Sequence, residues 1–231
     1  MDKGKLYGVG VGPGDPELMT LKAVRIIKES AVIAIPAETK EACVAYRIAE
    51  GAVPEIGEKE LLCISMPMTK DREVLMASHD AGAEKIERLL DMGKDVAFLT
   101  LGDVAVYSTY LYIHKRAAAA GYETELVSGI PSFCAAAARL GIGLTETKEE
   151  LHVIPATYGV EEALTLPGTK VLMKAGKKMA KVKAALMAGG CEAYMVENCG
   201  MENEKIYRSA AEIDENAGYY SLLIVKETDN G

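Results

Sequence analysis

Short apolar runs rich in Val, Ile and Leu alternate with longer stretches whose apolar residues recur every three or four positions, the pattern of strand and helix units in an α/β protein. The first run predicts a strand over 5–11, followed by a Gly-Pro loop. Thr20 then caps a helix whose apolar residues Leu21, Val24 and Ile27 share a face, with Lys22, Arg25 and Lys28 turned outward. A strand over 32–36, a helix over 41–50, a strand near 60–64, a long helix over 72–92, a strand over 96–100, a helix over 107–120 and a strand over 123–127 continue the alternation. After Gly129 the pattern restarts with a helix over 132–140. Strands follow near 151–154, 170–174, 193–197, 205–208 and 221–226, with helices between; their closer spacing predicts a mixed sheet. Gly-Pro-rich breaks fall at Gly57, at 129–131 and at Pro167 and Gly168, and the cleanest division lies near 128–131. The expected fold is thus α/β in two domains, 1–128 with a mainly parallel sheet and 129–231 with a mixed one.

Composition narrows the function classes. A chain of 231 residues that is 49% hydrophobic and 26% charged is too apolar for disorder and lacks the continuous apolar span of a membrane helix. Its formal charge of −8 repels phosphate backbones, so the expected partner is a small molecule, with no nucleic acid and no membrane. The first residues, Met1-Asp2-Lys3-Gly4-Lys5, carry neither an apolar signal core nor an Arg/Ser bias, which leads to the expectation of a cytoplasmic protein. Five scattered cysteines without a Cys-x-x-Cys pair suggest reduced structural thiols. Three histidines without helical ligand spacing give no reason to expect a metal site. His79, four residues after Leu75 and seven before Ile86, reads as a packed histidine.

The segment Gly8-Val9-Gly10-Val11-Gly12-Pro13-Gly14-Asp15-Pro16 links a strand to a helix, where open sheets turn toward ligands. A dinucleotide fingerprint fails in every frame, because its last glycine would fall on Pro13, Asp15 or Glu17. The phosphate-binding Gly-x-x-x-x-Gly-Lys-Ser/Thr pattern fails too, since Gly176-Lys177 is followed by Lys178 and preceded at the required place by Val171. Taken by itself the loop fits a plain tight turn as well as a ligand-facing one. Two further loops end predicted strands. In Leu99-Thr100-Leu101-Gly102-Asp103 the glycine permits close approach to the backbone, and Asp103 is either a ligand acceptor or a helix cap. Gly129-Ile130-Pro131-Ser132 opens the small-residue run 135–138, as a ligand-facing or simply capped helix.

Together these segments resemble the tetrapyrrole methylase family. The resemblance is carried by the run from Val9 to Ala23, by Leu101-Gly102-Asp103 with Tyr107-Ser108, by Gly129-Ile130-Pro131-Ser132, by Leu172-Met173-Lys174 and by Glu197-Asn198, in the family's order across nearly the whole chain. Within the family, Met66-Pro67-Met68-Thr69-Lys70-Asp71, the segment 100–109, Ser132-Phe133-Cys134-Ala135 and Ile154-Pro155-Ala156-Thr157-Tyr158 look most like the branch that methylates C(20) of precorrin-2 or cobalt-factor II in cobalamin biosynthesis.

The resemblance implies a two-domain homodimer of the class III methyltransferase type that binds S-adenosyl-L-methionine in a cleft between its halves and releases S-adenosyl-L-homocysteine. By matched position it implies cofactor contacts from Pro13, from Leu101, Gly102, Asp103 and Val106, from Pro131 and Ser132, and from Met173, Cys199 and Ser221. The chain departs from the family pattern at Val104, where Gly-Asp-Pro is usual, near Cys199, where Gly is frequent, and at Tyr220-Ser221, where Pro-Ala is frequent. Loss of proline at 104 is expected to loosen that turn. No catalytic residue is identified, because methyl transfer from a sulfonium to a carbon nucleophile needs no protein nucleophile. The acceptor would be polycarboxylate, so local cations must overcome the net charge; Lys70, Arg72, Arg116 and Arg139 are the candidates, with Met68 facing the macrocycle. The rival readings are another tetrapyrrole methylase, such as one acting on uroporphyrinogen III, and a non-catalytic S-adenosylmethionine-binding module.

Overall fold

Strand pairing turns the alternating pattern into two separate sheets. The computed structural model describes residues 2–67, 69–155 and 159–227, and the chain divides into two units, Met1–Pro131 and Ser132–Gly231.

The first unit runs β1 (Leu6–Gly10), α1 (Leu21–Glu29), β2 (Val32–Ile35), α2 (Val44–Ala52), β3 (Glu60–Cys63), α3 (Arg72–Asp91), β4 (Val96–Thr100), α4 (Tyr110–Ala119) and β5 (Thr124–Val127). Its strands lie in the order β3-β2-β4-β1-β5, and every pairing is parallel. Alternate side chains serve opposite faces: Val9, Ile33, Ile35, Ala97 and Leu99 pack with α1 and α2, while Leu6, Val32, Ala34, Val96 and Phe98 pack with α3 and α4. Cover on both faces is why β2 and β4 are buried throughout and read as unbroken apolar runs. From β1 the chain crosses one face to β2, and from β4 it crosses the other to β5. Adjacent β1 and β4 therefore send their following loops apart, which creates a crevice at the carboxyl ends of the strands.

Two helices depart from expectation, one in its buried face and one in its start. Thr20 does cap α1, its hydroxyl accepting from Ala23 N–H at 3.1 Å, but the buried face is Ala23, Ile26 and Ile27, and Leu21 is 90% exposed. Leu21 precedes Ala23 by two residues, roughly 200° around the helix axis, so it cannot share that face. The helix expected over 41–50 starts at Val44 because the preceding residues form a turn, with Cys43 N–H donating to the Lys40 carbonyl at 3.1 Å. It ends just before Pro54, where the restricted pre-proline residue Val53 halts it. His79 is packed as expected, stacked on Tyr112 with ring centroids 4.4 Å apart. Burial and the nearby Arg116 charge hold its pKa below the usual imidazole value.

On edge strand β5, Glu125 pairs with Lys5 at 2.8 Å and with Lys22 at 2.5 Å. The hydrogen bonds from Lys22 and then Lys5 pull its carboxyl down to about 2. A carboxyl depressed on folding stabilises the native state above its ordinary pKa, and that contribution is lost as pH falls toward the folded value. Glu125→Gln is therefore expected to flatten the decline in stability between about pH 4.5 and 2, measured by urea unfolding at a series of pH values. An unchanged acid slope would refute it.

The second unit runs α5 (Ser132–Leu140), β6 (Leu151–Pro155), α6 (Val160–Leu164), β7 (Thr169–Met173), α7 (Met179–Gly189), β8 (Glu192–Glu197), β9 (Lys205–Tyr207) and β10 (Ser221–Lys226). The strand order is β6-β7-β10-β8-β9, with β6 and β7 parallel and the other pairs antiparallel, so the mixed sheet expected from the strand spacing is present. One face packs Leu172, Met195, Leu223 and Val225 against α6 and α7, and α5 lies against β8 and β10. Among the described residues no helix is long and apolar enough to cross a membrane, and no group of three or more His, Cys, Asp or Glu is placed to hold a metal ion.

Candidate functional site

The carboxyl ends of β4, β1 and β5 are neighbours, and each is marked by glycine: Gly102, Gly10 and Gly129. Their backbones meet directly. A Cβ on Gly129 would lie 2.3 Å from the Gly102 carbonyl oxygen and 2.7 Å from the Gly10 carbonyl, and one on Gly10 would lie 2.6 Å from the Gly129 nitrogen. Gly102, at φ +72°, also exchanges two hydrogen bonds with Gly12, donating at 2.8 Å and accepting at 3.2 Å. Gly102 therefore gives room for close approach, while its N–H is already engaged. The neighbouring Pro13 is buried.

The Asp103 carboxylate is bonded to two backbone donors at these exits. One carboxylate oxygen accepts from Ala105 N–H at 2.8 Å and the other from Gly129 N–H at 2.9 Å, so one side chain closes the turn after β4 and ties it to the exit of β5. The turn expected to loosen without proline is held by this carboxylate, and Val104 is buried among the residues beneath α3 and α4. The helix expected from 107 begins only at Tyr110, because Tyr107 adopts φ +50° and Ser108 accepts from Tyr110 N–H at 3.2 Å. Leu101, Val106 and Pro131 remain half-buried around these exits, and Ser132, also half-buried, opens α5.

In the second unit, strand pairing gathers Met173, Cys199 and Ser221 at one end of β7, β10 and β8. Leu222 is opposite Met173 and Ser221 is opposite Glu197. The chain leaves β7 and β8 through left-handed Lys174 and Asn198. Buried Glu197 fixes this end: one oxygen accepts from Gly218 N–H at 2.6 Å, while the Gly218 carbonyl accepts from the Ser221 hydroxyl at 2.8 Å. Asn198 N–H donates to the Tyr220 carbonyl at 3.0 Å. The Ser221 hydroxyl is thus internally bonded, and Cys199 is buried.

The candidate cations separate into two pairs. Arg116 binds Asp80 at 2.6 Å and the Tyr112 carbonyl at 3.1 Å, bracing α4 against α3. Arg139 grips Glu204 with its Nε and terminal nitrogen, at 2.9 and 2.6 Å. Both forks face protein carboxylates, and local ion pairing engages them. Lys70 and Arg72 are exposed at the start of α3, where Asp71 caps the helix by accepting from Glu73 N–H at 2.9 Å. Met66 packs against the core shared by α3 and α4. Met68 and the segment 156–158 lie outside the described residues.

Sequence reasoning passed over the organising roles of Gly10, Glu197 and the pair Thr100 and Ser108. A glutamate closing an apolar strand, and hydroxyl residues on both sides of Leu101-Gly102-Asp103, were the available signals.

A doubly wound parallel unit with glycine at three adjoining strand exits, followed by a mixed-sheet unit with a tied loop cluster, defines a two-unit α/β protein. The chain belongs to the Tetrapyrrole (Corrin/Porphyrin) Methylases, whose family model matches residues 5–214. It is 34% identical over 226 residues to the "Probable cobalt-precorrin-2 C(20)-methyltransferase" of Methanocaldococcus jannaschii, covering 96% of each chain. It is 31% identical to the precorrin-2 C(20)-methyltransferase of a Sinorhizobium species, covering 96% of this chain and 95% of that one. With the cobalt-precorrin-2 C(20)-methyltransferase of Salmonella typhimurium it shares 30% identity, covering 97% of each. Solved structures share the fold. One is the "putative cobalamin synthesis related protein" of Corynebacterium diphtheriae, with TM-score 0.76, 18% identity and coverage of 98% of this chain and 100% of that one. Another is the uroporphyrin-III C-methyltransferase of Thermus thermophilus complexed with S-adenosylhomocysteine, with TM-score 0.67, 22% identity and coverage of 97% and 98%.

Proposed function

We propose that this chain is an S-adenosyl-L-methionine-dependent C-methyltransferase acting at C(20) of precorrin-2 or cobalt-factor II in cobalamin biosynthesis, with S-adenosyl-L-homocysteine as product. The reading is carried by near-full-length similarity, at 30 to 34% identity, to three relatives named for that activity. On the same reading it works as a homodimer in the cytoplasm, on a small-molecule tetrapyrrole.

The strand exits suit such a cofactor. Half-buried Leu101 and Val106 stand beside bare glycine backbone and the Asp103 carboxylate, a setting for a ligand that combines an apolar ring with a cationic sulfonium. Pro13, Leu101, Gly102, Asp103, Val106, Pro131 and Ser132 would hold it from these loops, with Met173, Cys199 and Ser221 from the second sheet. The bound cofactor supplies an already activated methyl group. Transfer would form a carbon–carbon bond at C(20) as the carbon–sulfur bond of the sulfonium breaks to leave the thioether product, with the C(20) proton passing to water. The contribution asked of the protein is to hold donor and acceptor in line, for which effective molarities on the order of 10⁵ M are attainable. The rigid ties at the strand exits serve that purpose.

Lys70 and Arg72 are the proposed contacts for substrate carboxylates. Charge reversal at either is expected to raise the tetrapyrrole KM by about tenfold, the effect of losing one charge-assisted contact, and to spare cofactor affinity. Equal loss of both would refute the assignment. The activity itself is tested by anaerobic incubation with S-adenosylmethionine and precorrin-2, cobalt-factor II or uroporphyrinogen III in turn, following S-adenosylhomocysteine and product mass. One added methyl mapped to C(20) supports the proposal. Turnover of uroporphyrinogen III in preference, or cofactor binding with no turnover, overturns it.

A further inference from the structure

Behind the loop that carries Leu101, Gly102, Asp103 and Val106 lies a hydroxyl pair. Thr100, the last residue of β4, and Ser108, two residues before α4, share a hydrogen bond of 2.9 Å between their side-chain oxygens. Both are nearly sealed from solvent, at 6% and 7% exposure. Each is also bonded to the surrounding frame. The Thr100 carbonyl accepts from Val11 N–H at 3.0 Å, joining β4 to the exit of β1, and the Ser108 hydroxyl oxygen accepts from Tyr110 N–H at 3.2 Å, starting α4. The pair closes the base of a seven-residue loop between two rigid elements, just after Tyr107 turns through a left-handed conformation.

We infer that Thr100 and Ser108 are positioning residues that preset the loop 101–107 for the cofactor without touching it, an inference that rests on the methyltransferase reading above. An open loop must surrender conformational freedom on binding, whereas a loop pinned at its base has surrendered part of it already. Burial strengthens the pin, because a hydroxyl there has no water to replace a lost partner.

Thr100→Val removes the hydroxyl at nearly constant volume and leaves Ser108 able to accept from Tyr110. By titration calorimetry on the full chain, it is expected to weaken S-adenosylhomocysteine binding by about three- to tenfold, the range one buried hydrogen bond supports. Thr100→Ser is expected to restore it, and the tetrapyrrole KM to stay within about twofold. Ser108→Ala is expected to weaken binding further, since it also removes the acceptor of the Tyr110 N–H, and adding Thr100→Val to Ser108→Ala is expected to cost nothing more. Equal affinity in the Thr100→Val and unaltered chains overturns the inference, as does a Thr100→Ser chain no better than Thr100→Val. A loss of thermal stability with unchanged affinity assigns the pair to folding and also overturns it. If the unaltered chain fails to bind S-adenosylhomocysteine, the methyltransferase reading falls and takes this inference with it.

Discussion

Alanine at position 129 is expected to destabilise the first unit by about 3 kcal/mol, the upper part of the usual range for overpacking, and to remove measurable binding of S-adenosylhomocysteine. The added methyl would sit 2.3 Å from the Gly102 carbonyl oxygen and 2.7 Å from the Gly10 carbonyl carbon and oxygen. None of these is a side chain that can rotate away. All three belong to strand exits fixed by parallel pairing on both sides of β1, so relief requires β1, β4 and β5 to separate where the loops begin. The conformation of Gly129 is not the obstacle, since its φ is not in the left-handed region; the obstacle is the approach of neighbouring backbones. Gly57→Ala provides the contrast. Nothing lies within 4 Å of its added Cβ, and its effect should stay within about 0.5 kcal/mol. Urea unfolding of both variants checks the pair. A Gly129→Ala protein within about 1 kcal/mol of the parent would mean that the exits yield more readily than close packing permits.

The parts of this fold that were legible in the sequence are those governed by short-range periodicity. β4 and β10 are uniform apolar runs, and the helix from Ser132 is a compact stripe of small residues, so their limits follow from local pattern. Helix starts were harder. Nothing in the composition of 107–109 forbids a helix; its later start depends on Tyr107 taking φ +50° and on the bond between Ser108 and Thr100, a partner eight residues away. Leu21 misled for a related reason, since a leucine just after a cap looks like the first residue of an apolar face until the helix phase is set by Ile26 and Ile27. At the candidate site the glycines and Asp103 were visible as residue types at strand ends. Their roles were not, because which backbone meets which depends on the order β4-β1-β5, a long-range property. The partners of Arg116 and Arg139, at 36 and 65 residues' separation, were hidden in the same way. An arginine's appearance in sequence is the same whether its fork meets a ligand or a glutamate.

Asp103 is where a long-range partnership should have its clearest functional consequence. Asp103→Asn keeps the shape of the side chain but leaves one acceptor oxygen for two backbone donors, Ala105 N–H and Gly129 N–H. Whichever donor the oxygen serves, the new amide group faces the other as a second donor. Hydrogen bonds to a charged acceptor contribute about 1.5–3 kcal/mol each, and the Gly129 N–H, partly buried, has little access to water in compensation. The variant is therefore expected to lose about 2 kcal/mol of stability and to bind S-adenosylhomocysteine at least tenfold more weakly, about 1.4 kcal/mol. Asp103→Glu should not rescue it, because an added methylene displaces both oxygens from two donors set by separate strand exits. A side chain acting purely as a ligand contact would give the affinity loss without the rest. The clamp requires that hydrogen exchange at the Gly129 amide accelerate in the absence of any ligand, as the tie between the β4 and β5 exits opens. An unchanged exchange rate at that amide, with affinity reduced, would leave Asp103 with its proposed ligand contact alone. Faster exchange accompanied by weaker binding would make the joining of the two loops, more than any contact made by the carboxylate, the means by which this aspartate serves methyl transfer.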